Sequence, residues 1–440
     1  VSDTVSARAE PIPSKAGAHL LFLMRDVLPA TRADVAVLFG KELARYGITS
    51  DLVGQAEPGA PLPEASAWPA GELWQVGVAA KGIRGELVRT WYDLWGLLAH
   101  LRDRHDIVQV RDKIRTGVLG LVAARLLRKP FVYWMSYPIA EGHASRAAHV
   151  GRSQGWIVWI ANKVRAWAAG ACYYGLICRH ADHVFVQSDA MLRHMEERGV
   201  RRERMTAVPM GVDVDAFAAV TAAPVVPEVM RGRRVIAYLG QLSQDRRSDF
   251  LLEVVKELSI SRPDVLLLLA GDAPSADEQA WIRRRIVELG VERHVWLTGW
   301  LPQRQALPLM KLAEVGLSPI PRGSLFDISS PTKAVEYLAL GLPVVVNDIP
   351  DQQQVVAGSG AGFCVPMTVP AFAAAVERLL ADPAGAVRMG ASGPDWAATH
   401  RAYGTIARRI VPVYQALGGR PHVHGRALRR AQQDGRSPPM

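Results

Sequence analysis

RVIAYLGQLSQDRRSDFLLEVVKELSISRPDVLLLLAGD, residues 234–272, is the stretch that decides the architecture. Arg234–Leu239 and Val265–Ala270 are short, nearly unbroken apolar runs, each ended by a glycine, as expected of strands buried on both faces. Ser248–Ser259 between them reads as a helix. A strand, a crossing helix and a second strand make a parallel pair.

The same alternation runs outward in both directions. Toward the C-terminus it predicts helix Ala276–Leu289, strand Val295–Thr298, strand Glu314–Ser318, helix Thr332–Leu340, strand Pro343–Asn347 and helix Val369–Leu380. Toward the N-terminus it predicts strand His19–Met24, helix Asp34–Tyr46, strands Ile48–Val53 and Trp74–Val78, helix Glu86–Arg104, strand Asp106–Val110, helix Thr116–Arg128 and strand Pro130–Trp134. Strand Asp182–Gln187, helix Ser188–Arg198 and strand Met205–Pro209 complete that half. Pro224–Pro227 is the best linker. The predicted fold class is α/β, with two tandem Rossmann-like doubly wound parallel-sheet domains facing across a cleft. Ligands of such sheets bind beyond the carboxyl ends of the strands. The expected divisions are an N-terminal Rossmann-like domain (15–222) containing a helical region of unusual composition (142–181), a C-terminal Rossmann-like domain (228–394), a final helix (395–418) and a basic, disordered tail (419–440).

The 440 residues, half of them apolar, suit two buried cores. Fifty-two Lys and Arg against 42 Asp and Glu favour anionic partners. Three cysteines without ligand spacing, Cys172, Cys178 and Cys364, point to a reducing compartment. No apolar run is long enough to span a bilayer, so any membrane contact is expected at the surface. No metal ligand set and no nucleic-acid reading face is recognisable.

Ser329-Ser330-Pro331-Thr332-Lys333-Ala334-Val335-Glu336-Tyr337 carries the most chemistry. Ser330 suits an N-cap and Pro331 a first helical residue, which leaves free N–H groups and a positive dipole end for a phosphate. Glu336, one and a half turns in, can accept hydrogen bonds from a ribose diol. From the capping pattern alone, Lys333 and Glu336 fit plain surface charges equally well.

With the following Leu338-Ala339-Leu340-Gly341-Leu342-Pro343-Val344-Val345, this stretch resembles the C-terminal signature of glycosyltransferase family 4 (glycosyl transferases group 1), whose fold is the two-domain GT-B. Val208-Pro209-Met210-Gly211-Val212-Asp213, Tyr238–Ser243 through Arg246, Leu269-Ala270-Gly271-Asp272 and Leu297-Thr298-Gly299-Trp300 resemble its other motifs in the same order. The resemblance implies that the N-terminal domain takes the acceptor and the C-terminal domain the donor nucleotide, that the final helix crosses back to the N-terminal domain, and that Arg246, Lys333 and Glu336 serve catalysis. It places Gly240, Gln241, Arg247, Gly271, Asp272, Gly299, Trp300, Ser330 and Thr332 at the donor. Gln241 stands where the family has Arg, and Ile328 at the first position of its Glu-x7-Glu pair. The family is retaining, and an isoleucine at Ile328 argues against a nucleophile there. The implied route is front-face displacement by positioning and charge stabilisation. On the acceptor side Arg111, Asp112, Ser136 and Glu141 are candidates, with a structural Arg–Asp pair as the alternative; Ser136 replaces a family His.

Gly142–Ala181 has no Asp or Glu, yet holds Arg146, Arg152, Lys163, Arg165 and Arg179. Trp156, Ile160, Val164, Trp167, Ala171, Tyr174 and Cys178 recur there at helical spacing. Trp156, Lys163, Arg165 and Trp167 are therefore expected to meet an anionic membrane; the competing expectation is a helix packed on its own domain. Together these features predict a retaining, hexosyl-transferring, nucleotide-sugar-dependent enzyme of polysaccharide or glycolipid assembly. Its expected acceptor is a polyprenyl-linked glycan or glycolipid, and its expected place is the cytoplasm, peripheral on the inner face of the plasma membrane. No cofactor or metal is expected. A sugar-nucleotide epimerase and a non-catalytic polyanion binder are the alternatives.

Overall fold

The computed structural model describes residues 17–28, 32–56, 68–78, 82–142, 144, 155–221 and 225–419. Arg146, Arg152 and the tail 420–440 lie outside the described residues. Two all-parallel sheets confirm the α/β class. The first has seven strands, β1 (Ala18–Leu28), β2 (Ile48–Ala56), β3 (Leu73–Val78), β4 (Ile107–Arg111), β5 (Phe131–Met135), β6 (His183–Val186) and β7 (Met205–Ala207), in the order β3-β2-β1-β4-β5-β6-β7. The second has six, β8 (Arg234–Leu239), β9 (Val265–Ala270), β10 (Val295–Gly299), β11 (Val315–Ser318), β12 (Val344–Asn347) and β13 (Gly362–Val365), in the order β10-β9-β8-β11-β12-β13. Each order reverses once, between β1 and β4 and between β8 and β11. Those two reversals open crevices at the carboxyl ends of the strands.

Two expected helices differ. Asp34–Tyr46 is broken into Ala33–Ala36, a π-turn stretch Leu38–Glu42 and a short 3-10 turn Ala44–Tyr46. Here tertiary partners override helical propensity. Phe39 packs edge-on to Trp134, and Lys41 reaches across to Asp213 (3.1 Å) and Asp215 (3.1 Å). The final helix is also split, into Gly393–His400 and Tyr403–Gly418. At the break, Val212 N–H donates to Arg401 O (2.9 Å) and Tyr403 N–H to Val212 O (3.2 Å). The chain therefore crosses between the sheets twice, with the two crossings hydrogen-bonded to each other. Beyond the break, Tyr403, Ile406, Ile410, Val411, Tyr414 and Leu417 lie in the core of the first sheet with Phe22, Phe39 and Trp134.

At the opposite, amino ends of the strands, Asp51 accepts from His105 Nε2 (2.9 Å), Arg104 (2.6 Å) and the Glu72 amide (2.7 Å). The Arg102 amide donates to His105 Nδ1 (3.0 Å), so the Nε2 proton is the one that goes to Asp51. Burial pushes the Asp51 carboxyl up, but hydrogen bonds from His105, His19 and the Glu72 amide outweigh it and hold the group well below the usual carboxylate range.

His183, at the start of β6, bonds Thr206 Oγ1 (2.9 Å) and is pushed down to about 4 by burial. The unfolded chain takes up this proton near pH 6.5, before the folded one does. Stability from a neutral His183 is thus complete above pH 6.5 and lost as pH falls toward 4, an effect of about 3 kcal/mol. Urea midpoints at pH 7.5 and 4.5 should show a smaller acid loss for His183→Gln than for the parent. Parallel losses in both proteins would show that another group dominates.

Candidate donor and acceptor sites

Three strand ends meet in the second sheet. Gly240 (φ 143°) follows β8, Gly271 (φ 152°) follows β9 and Gly299 (φ 71°) ends β10. Gly240 N–H donates to Ala270 O (2.9 Å), and Gly271 bridges Gly299. A Cβ on Gly271 would run into the Gly240 carbonyl, and one on Gly240 would lie 2.8 Å from Lys333 Cε. Only glycine permits both the backbone angles and this approach.

Lys333 is buried on helix Thr332–Ala339, its Nζ 5.0 Å from the Tyr238 ring centre. Tyr337, one turn on, accepts from Leu239 N–H (2.8 Å) and so ties the helix to the end of β8. The carboxylate of half-buried Glu336 has no hydrogen bond among the described residues; burial pushes it up and Lys333 opposes the shift. Arg246, half-buried in the turn after β8, likewise has neither ion pair nor hydrogen bond among the described residues. Beside it Arg247 is exposed and held at φ 49°, a strained angle for a non-glycine residue. The second half thus offers charges of both signs without side-chain partners among the described residues, and a helix start whose Lys333 lies against Gly240. Trp300 stands 72 % exposed beside Gly299. Gln241 is exposed, and only its carbonyl is engaged, by Tyr238 OH (3.2 Å).

Several expected roles are corrected. The helix cap is Pro331, without a side-chain bond; Thr332 begins the helix. Ser330 is turned away and buried: its hydroxyl accepts from Met210 N–H (3.0 Å) and donates to Asp351 Oδ2 (2.9 Å). A buried carboxylate outbids the local cap. Asp272 is spent within its own turn, accepting from Ala273 N–H (2.8 Å) and Gln279 Nε2 (3.1 Å).

On the first sheet, Arg111, Asp112 and Ser136 form a buried knot at the ends of β4 and β5 rather than an open acceptor surface. Arg111 pairs with Asp34 (2.8 Å) and donates to Ser136 Oγ (3.0 Å). Asp112, at φ 50°, accepts from the Ser136 amide (2.9 Å) and hydroxyl and from the Tyr137 amide (3.2 Å). Burial pushes the Asp112 carboxyl up and Arg111 opposes it. Glu141 is buried too, accepting from Tyr174 OH and His194 Nε2 (2.6 Å). For Arg111 and Asp112 these partners fit the structural Arg–Asp alternative. Asp34 was missed because its helical spacing disguised a counter-ion for an arginine 77 residues away.

Ile328 is buried in the core of the first sheet, although its chain belongs to the second, and Ser188 Oγ donates to its carbonyl (2.6 Å). It is a contact between the domains, with no carboxylate to offer a sugar. No sequence signal marked it.

Two parallel, doubly wound sheets joined by two crossings are the architecture of a GT-B glycosyltransferase. The family model described as Glycosyltransferase Family 4 matches residues 34–216, and that described as Glycosyl transferases group 1 matches residues 233–382; the chain belongs to this family. It is similar to the GDP-mannose-dependent alpha-(1-6)-phosphatidylinositol monomannoside mannosyltransferase of Mycolicibacterium smegmatis, at 30% identity over 221 residues. That match takes in 48% of this chain and 56%, about half, of the relative. The MMP alpha-(1->4)-mannosyltransferase of Mycolicibacterium hassiacum is 26% identical over 72% of each chain. The sucrose-phosphate synthase of Thermosynechococcus elongatus shares the fold, with TM-score 0.68 at 17% identity over 91% of this chain and 99% of that one.

Proposed function

We propose that this chain transfers a hexosyl group, with mannose the first candidate, from a nucleoside-diphosphate sugar to a hydroxyl of a lipid-linked acceptor, with retention. The carrying observation is Lys333 laid against Gly240 at the end of β8, with the side chains of Arg246 and Glu336 making no hydrogen bond or ion pair among the described residues. Arg246 and the start of helix Thr332–Ala339, with Lys333, neutralise the diphosphate as it leaves. Glu336 holds the ribose. With Ile328 buried against the other domain, front-face attack needs no protein nucleophile, and the departing phosphate takes the acceptor's proton. The relatives named above include a GDP-mannose-dependent enzyme, so GDP is the nucleotide to try first. Calorimetric titration with GDP, UDP and ADP, followed by product analysis on the tightest, tests the reading; no binding to any of them would remove it.

The acceptor's lipid is inferred from the outer face of the first domain. Helix Trp156–Gly170 buries none of its residues; Trp156 is 68% exposed and Trp167 74%, with Lys163 and Arg165 exposed among them. Only beyond it do Tyr173, Ile177 and Cys178 turn into the core. On helix Gly82–His100, Leu87, Trp91, Trp95 and Leu98 are also exposed. From Lys113 to Ala181 the only acid is the buried Glu141, against ten Lys and Arg. Exposed aromatic and apolar surface beside the exposed Lys163 and Arg165 suits an anionic bilayer. No helix among the described residues is long and apolar enough to cross one. Binding to phosphatidylglycerol-containing vesicles should weaken in 1 M salt and drop at least about tenfold when Trp156 and Trp167 become Ser. Binding indifferent to lipid charge and to both tryptophans would refute the membrane reading.

A further inference from the structure

The chain's two crossings between the sheets share a buried polar network that the donor reading above does not use. Arg401, in the break of the final helix, donates through Nη2 to Asp351 Oδ1 (2.7 Å) and through Nη1 to the Met210 carbonyl (3.3 Å) and Ser330 Oγ (3.3 Å). Ser330 Oγ in turn donates to Asp351 Oδ2 (2.9 Å) and accepts the Met210 N–H (3.0 Å). All three residues are at most 5% exposed. Both backbone groups of Met210, on the first crossing, are thus satisfied by side chains from the second crossing and from the donor domain. A Cβ on Gly211 would clash with the Arg401 carbonyl, so the crossings are pressed together at this point.

A buried ion pair is a poor device for stability alone, since apolar residues of the same volume do as well or better. It does impose one geometry. Ser330 lies two residues before Thr332, where helix Thr332–Ala339 begins. We infer that Ser330, Asp351 and Arg401 are positioning residues that hold the phosphate-receptive end of that helix in register with the crossings, and so with the acceptor domain. The inference rests on the donor reading above: the network acts through the helix start and touches neither substrate.

Ser330→Ala removes one acceptor and one donor with little volume change. Its expected effect is about a fivefold loss of nucleoside-diphosphate affinity, from one lost hydrogen bond's worth of alignment, with donor KM raised and kcat lowered together. The control is Ser359→Ala, which deletes a buried hydroxyl that accepts the Ala361 N–H (3.2 Å) before the amino end of β13, at the end of the second sheet opposite its crevice. It should lower the melting temperature comparably while leaving nucleotide affinity and kcat unchanged. Asp351→Asn should repeat the Ser330→Ala pattern more strongly; if it fails to fold, the serine pair still decides. Equal melting losses for the two serine variants, with wild-type nucleotide affinity and kcat in both, would overturn the inference and leave the donor site standing. A wild-type chain that binds no nucleoside diphosphate would remove both.

Discussion

A chain ended at Asp395 is expected not to fold, whereas one ended at Gly419 should melt within about 2 °C of the full chain. The shorter chain loses helix Tyr403–Gly418, whose Tyr403, Ile406, Ile410, Val411, Tyr414 and Leu417 are all buried in the first sheet's core. Removing a large buried side chain costs about 2–5 kcal/mol, so six together exceed about 10 kcal/mol, comparable to the whole stability of a domain. The loss goes beyond packing: the Tyr414 hydroxyl donates to Gln109 Oε1 (2.6 Å) on β4, leaving a buried amide unpaired. The longer chain keeps every contact described for this helix. Circular dichroism and gel filtration read the outcome, and a cooperative transition in the shorter chain near that of the parent would show that the crossing helix is dispensable.

Arg246→Ala and Glu336→Ala should each lower kcat/KM for the donor at least about tenfold, or about 1.4 kcal/mol of transition-state binding. Neither side chain has a hydrogen-bond or ion-pair partner among the described residues, so truncating them orphans none of those residues and should hardly change the melting temperature. Glu336 carries a further signature. Its carboxyl is raised by burial against the pull of Lys333, and a protonated acid cannot accept two diol hydrogen bonds. Donor affinity should therefore fall as pH drops through the raised value, and Glu336→Gln should flatten that dependence. Wild-type turnover in both alanine variants, with folding intact, would mean the donor lies elsewhere.

Much of the donor half was legible because its signals are local. Gly240 and Gly271 each follow an apolar strand by one residue, and Pro331 at a helix start is a short-range preference. The acceptor half was less legible. Arg111, Asp112, Ser136 and Glu141 have the residue types of a reactive site, but their charges are consumed by partners distant in sequence, such as Asp34 and His194. Nothing in a linear pattern reports whether a charged side chain has a partner.

The sequence by itself determined the two parallel sheets, their strand–helix alternation and the glycine turns that end strands of the second, since strand runs buried on both faces and helix starts are encoded within a few residues. Only the tertiary structure decided which side chains are free. Ser330 gives up a cap to join Asp351 and Arg401, and the final helix breaks at Arg401 so that the two crossings can pair. The stripe from Trp156 to Cys178 has one period throughout, yet its first half faces outward and its last turn the core. Periodicity says that a helix has an apolar face. What covers that face depends on elements far away in the chain, whose packing no local pattern contains.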